Sequence, residues 1–188
     1  MLEQLTQLVQ QFGDDAVVKN SAIPNDQNEG VMYETSNSIF STLKKIASEG
    51  NTEQLTGLFT GKSPIDNSNP VVQQITQQLS GSLDEKFGLN NDTSSNVAGS
   101  MIPQILNSLV NKAKDPKDGS FQISDIINAV SGNSAQASSI MDTISKYGMQ
   151  FGLDQNADGK VDVADVLVVT KSSGGIAGFI GKLFRSKK

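Results

Sequence analysis

The sequence predicts an all-α fold: a multihelical bundle, then a small subdomain of two paired loops, then a carboxy-terminal amphipathic helix. Three observations predict it. Apolar residues recur at three- and four-residue steps along most of the 188-residue chain. Glycine or proline punctuates these runs at about the length of a helix. Strand-like alternation is absent outside two short pairs of residues within loops. The expected units are residues 1–111, 112–172 and 173–188.

Leu2, Leu5, Leu8, Val9 and Phe12 mark the first helix, which Gly13 ends. Asp14 to Asn20 is one short helical turn, and Pro24 closes the connection after it. A long helix runs from about Gln27 to Ser48, with Val31, Ile39, Leu43, Ile46 and Ala47 inward and Gly50 beyond its end. Asn51 caps a short helix over 52–60 whose apolar residues are Leu55, Leu58 and Phe59. Residues 61–69 form a loop containing Pro64. Pro70 suits the first position of the next helix, where its missing N–H is not needed, and Asn69 caps it. Val71, Ile75, Leu79, Leu83 and Phe87 make its stripe, and Gly88 stops it. Asp92 or Thr93 caps another long helix to about Lys112, which Pro103 should kink or break by removing a backbone donor. Ser124 caps 125–130, ended by Gly132. Ser134 opens a last helix to Tyr147, ended by Gly148.

Residues 154–165 have the spacing of a metal-binding loop. Calcium takes six to eight oxygen ligands, and a twelve-residue loop supplies them from positions 1, 3, 5, 7, 9 and 12, with glycine at 6. Those positions are Asp154, Asn156, Asp158, the carbonyl of Lys160, Asp162 through a water, and Asp165; Gly159 stands at 6 and apolar Val161 at 8. Four carboxylates in twelve residues repel one another unless a cation lies among them. The implied cofactor is calcium (Ca2+). Position 12 is Asp where helix-loop-helix calcium sensors carry a bidentate Glu, so the shorter arm demands a tighter loop or a lower affinity.

Forty residues upstream, Asp118-Gly119-Ser120-Phe121-Gln122-Ile123-Ser124-Asp125 lies over Asp158-Gly159-Lys160-Val161-Asp162-Val163-Ala164-Asp165. Positions 5, 6, 8 and 12 agree in kind. The front half does not: Lys114 falls at position 1, and Asp115 fits only if the loop loses a residue. This is a degenerate copy, with Asp115, Asp118 and Asp125 as a weak second site at most. Its expected role is structural, Phe121 lying beside Val161 in a short pairing that joins both loops into one calcium-loop subdomain. Asp at position 12 followed by Val166-Leu167-Val168-Val169 resembles the EF-hand-like loops of dockerin modules, over about residues 153–171 only. A dockerin uses two such loops and works outside the cell, so its partner binding does not carry over.

Beyond the loops, Ile176, Phe179, Ile180, Leu183 and Phe184 recur at i, i+3, i+4, i+7 and i+8, one apolar face. Lys182, Arg185, Lys187 and Lys188 crowd the same segment. A short basic amphipathic helix can lie in a membrane interface. Gly174, Gly175 and Gly178 weaken it as an isolated helix, which favours docking on the protein itself or on another copy.

Charge is polarised. Residues 1–165 hold all twenty acids against ten basic residues, while 166–188 hold five basic residues and no acid. That asymmetry can steer an acidic body toward a basic tail, in the same molecule or the next one. The chain has neither Cys nor His, which excludes disulfides, thiolate metal sites and any His-based nucleophilic triad. Adjacent acids such as Asp14-Asp15 and Asp84-Glu85 do not face each other on a helix and read as solvated faces rather than an acid–base pair. No enzyme and no small-molecule substrate is expected. Nucleic acid is not an expected partner either, because residues 1–110 carry twelve acids against five lysines. The amino terminus shows no basic region followed by an apolar run, so a cytoplasmic location is expected.

The helix-Gly-helix rhythm, Gly57-Leu58-Phe59-Thr60-Gly61, and Phe87-Gly88-Leu89 followed by Met101-Ile102-Pro103-Gln104-Ile105-Leu106 resemble the YidB-like family of small bacterial proteins over about residues 1–148. The resemblance implies an all-helical bundle with no assigned function and no catalytic residues to carry over. The expected role is a calcium-stabilised structural subunit that associates with copies of itself. The alternatives are a peripheral membrane protein held by residues 173–188 and a calcium-dependent adaptor for a foreign protein.

Overall fold

The computed structural model describes residues 1–115, 118–132 and 135–148, and over these it is helical with no strand. The axis is α2 (Asn28–Ser48), against which α1 (Leu2–Gly13), α3 (Thr52–Thr60), α4 (Pro70–Phe87) and α6 (Ile123–Ser131) pack. The remaining helices, α5 (Asn91–Lys114) and α7 (Ala135–Gly148), lie chiefly on α4 and on α3, respectively. One hydrophobic core runs from Leu5 to Ile144. It crosses position 112: Phe121, Ile123, Ile126, Ile127, Val130 and Ile140 are buried with the residues of the first five helices.

Two glycines lie where helices approach closely. A Cβ on Gly13 would lie 2.8 Å from the Met32 sulfur, and one on Gly30 would lie 2.8 Å from Cε1 of Phe87. These contacts bring together the end of α1, the start of α2 and the end of α4. α1 stops at Gly13 as expected, and does so by widening into a π-helical turn, Asp14–Val18. A 3-10 turn, Asn25–Gln27, then leads into α2 after Pro24.

Local signals placed most helix ends correctly. Asn69 Oδ1 accepts a hydrogen bond from the Val71 N–H at 2.9 Å, with Pro70 as the first helical residue. Gly88 ends α4 in the left-handed conformation, φ 66°, which lets its N–H return to the Asp84 carbonyl.

Three expectations need correction. The cap of α5 is Asn90, whose side chain accepts from the Thr93 N–H at 2.8 Å; Asp92 and Thr93 lie inside the first turn. The residue before α6 is Gln122, because buried Ile123 already belongs to that helix and Ser124 follows it. Pro103 does not break α5, which is continuous from Asn91 to Lys114. Pro103 cannot donate to the Gly99 carbonyl, but both residues lie on a partly exposed side, where water can serve that oxygen.

Candidate functional site

The described part of the degenerate loop is a turn closed by its own side chains. Asp118 Oδ1 accepts from the Ser120 N–H at 2.9 Å and from the Ser120 hydroxyl, while Oδ2 accepts from the Lys112 ammonium at 2.8 Å. The Lys112 ammonium, followed by Ser120, holds the Asp118 carboxyl down at about 2. A cation therefore already neutralises the loop's fifth position. Gly119 is not in the left-handed region, unlike Gly50, Gly61, Gly88 and Gly132, so the turn is not the sharp one for which a calcium loop requires glycine. Phe121 is buried in the core, and Asp125 is exposed in the first turn of α6. Asp115 follows α5, its N–H bonded to the Asn111 carbonyl. Among the described residues no group of three or more acidic side chains is placed to hold a metal ion.

The bundle has two chemically different ends. At the first, defined by Gly13 against Met32 and Gly30 against Phe87, lie the π-helical turn, the 3-10 turn, the start of α2, the end of α4 and the start of α5. Lys19 and Lys86 are the lysines here, and both are engaged. Lys19 binds Asp14 and Asp15, which raise its pKa above the ordinary value. Lys86 donates to both oxygens of Glu34 at 2.8 Å. Glu34 is buried, and sequence reasoning missed it because it looked only for apolar residues on the inner face of α2. Its signal is a polar run, Glu34 with Thr35, Ser36, Ser38 and Thr42, that the structure also buries. Hydroxyls in that run return to the helix: Thr35 donates to the Val31 carbonyl at 2.8 Å and Ser36 to the Met32 carbonyl at 3.0 Å.

At the opposite end, Gln4 Nε2 donates to the Ser120 carbonyl at 3.1 Å, and Asn107 ties α5 to the Ile65 carbonyl at 2.9 Å. The Lys114 ammonium lies close to Gly61, the left-handed cap of α3, and burial lowers its pKa. Its positive charge complements the carbonyl end of α3.

The family model described as "Bacterial protein of unknown function (DUF937)" matches residues 69–168, more than half of the chain. The chain belongs to this family. The membership agrees with the expected kinship to bacterial proteins of unassigned function, and the matched span takes in α4 to α7 and continues through residues 154–165. No curated protein matches the chain, and no solved structure matches it.

Asp154, Asn156, Asp158, Lys160, Asp162 and Asp165, with Val161 of the expected loop pairing, lie outside the described residues. So do Ile176, Phe179, Ile180, Leu183 and Phe184. No described helix is long and apolar enough to cross a membrane.

Proposed function

We propose that this chain is a non-enzymatic calcium-binding helical protein that assembles with copies of itself, with calcium held by residues 154–165. The observation that carries the reading is the loop spacing: oxygen-bearing positions 1, 3, 5, 7, 9 and 12 around Gly159, four of them carboxylates. Asp at position 12 suits a structural staple better than a switch. A sensor must also expose a new apolar groove on binding metal. The opposed charges of body and carboxy-terminal segment support association between copies.

Sedimentation velocity of the full chain in calcium and in chelator tests the reading. A discrete larger species in calcium that is lost in chelator is expected; a monomer in both buffers overturns assembly.

The basic amphipathic spacing of residues 173–188 favours a second reading, binding to a membrane surface. Flotation with anionic vesicles decides it, because a chain ending at Lys171 must then lose vesicle binding.

A further inference from the structure

The end of the bundle where Gly30 meets Phe87 carries acids that no lysine among the described residues pairs with. Asp26, Glu29, Asp84, Glu85 and Asp92 are all exposed there, and none forms an ion pair. Its two lysines are already engaged, Lys19 by Asp14 and Asp15 and Lys86 by Glu34. A second observation coincides with the first. The two large apolar side chains that stand exposed among the described residues are Val18, 42 % exposed, and Tyr33, 52 % exposed. Both belong to this end: Val18 closes the π-helical turn after Gly13, and Tyr33 follows Met32, the residue that meets Gly13. Acidic groups around exposed apolar side chains fit a partner that is both basic and apolar.

The chain contains one such segment. Residues 173–188 combine five large apolar residues at helical spacing with Lys182, Arg185, Lys187 and Lys188 and have no acid. We propose that the acidic end bounded by Asp26, Glu29, Asp84, Glu85 and Asp92, with Val18 and Tyr33, is the docking surface for residues 173–188 of a second copy. This deepens the assembly reading above and rests on it.

Opposed charges on body and tail suit a contact between copies, and the assembly reading above selects the second copy as the occupant. A tail of one copy seated on the acidic end of the next joins two different surfaces, a head-to-tail contact. Such a contact is heterologous, so it propagates into a ring or an open chain rather than stopping at a symmetric dimer.

Charge reversal on each side of the contact tests the proposal with full-length chains in calcium. One chain carries Glu29→Lys with Glu85→Lys, and the other carries Lys182→Glu with Arg185→Glu. Glu29 lies in the first turn of α2 and Glu85 in the last turn of α4, so the two reversals act oppositely on the helix dipoles and the first chain should melt close to wild type. Each variant alone should shift from the assembled species to a monomer in sedimentation velocity. Mixing them should restore assembly, because each tail then meets an oppositely charged body.

If the wild type assembles and both variants assemble equally well, this contact is wrong while the assembly reading stands. If both variants are monomeric and mixing restores nothing, the contact is also overturned. A wild type that is monomeric in calcium removes the assembly reading and this inference with it. Loss of flotation on anionic vesicles in the tail variant alone, with the body variant floating as wild type, overturns the proposal in favour of a lipid surface.

Discussion

The Lys86 ammonium lies 2.8 Å from both carboxylate oxygens of Glu34, which is buried at the crossing of α2 and α4. The partners are 52 residues apart, so the pair forms only when the helices have docked. Lys86→Ala should leave a buried carboxylate unpartnered. The expected loss is about 1–3 kcal/mol, below the range for fully buried pairs because half of Lys86 faces water. Glu34→Gln with Lys86→Met should recover most of it. Urea midpoints of the three chains check both statements, and equal loss in the single and double variants would contradict them.

Gly30→Ala tests the close approach at the same crossing. Its Cβ would fall 2.8 Å from the Phe87 ring, and the ring must move or the helices must part. A loss of about 1–3 kcal/mol is expected, although alanine is the better helix former. Phe87→Leu should relieve the clash, so the double variant should unfold at higher urea than Gly30→Ala alone. If Gly30→Ala stabilises the protein, the approach is looser than described.

These two sites show what was legible in the sequence. Asn69-Pro70 and Gly88 announce helix ends through local effects on their own backbone, a capping side chain in one case and a missing Cβ in the other, and the structure has them where local chemistry puts them. The inward residues Val31, Ile39, Leu43, Ile46 and Ala47 are all buried because spacing alone selects the inner face of α2. Glu34 was not legible: its burial depends on a lysine 52 positions away. Gly13 was read only as a terminator, whereas it also lies closely against the Met32 side chain. The same divide runs through the candidate site. Spacing identifies Asp154 to Asp165 as an oxygen-rich loop, but nothing local reveals that Lys112 neutralises Asp118.

The Lys112–Asp118 pair should shape the acid limb of stability. Asp118 has its folded pKa lowered from 3.8 to about 2. Its contribution is therefore present above the unfolded pKa and is lost as pH falls through the folded value. Asp118→Asn should lower stability at neutral pH by about 1 kcal/mol or less, since both side chains are partly exposed. Wild type and variant should converge between about pH 4 and pH 2. Thermal melts across that window measure this, and a gap that persists at pH 2 would mean the turn acts without its charge.

Lys114 has the opposite sign. Burial lowers its folded pKa below 10.5, so keeping it charged opposes folding at neutral pH. That cost is fully present below the lowered pKa and disappears as pH rises to 10.5. Lys114→Met should therefore stabilise the protein at pH 7, with the gain shrinking as pH rises. Loss of stability at pH 7 would instead show that the ammonium's place at the carbonyl end of α3 outweighs its desolvation.

Asp158→Ala separates a metal loop from an acidic surface turn. Asp158 holds position 5 of the twelve-residue pattern, immediately before Gly159. A ligand that binds only the folded state raises stability in proportion to the logarithm of its concentration over its dissociation constant. Removing one carboxylate should weaken calcium binding and so lower the melting temperature in calcium. In chelator the same substitution should change it little or raise it slightly, since one repelling charge is gone. A calcium titration followed by melting temperature should show a midpoint moved to higher calcium in the variant. Equal losses with and without calcium would mean that Asp158 serves the turn through its own hydrogen bonds, as Asp118 does, and the metal assignment would fall.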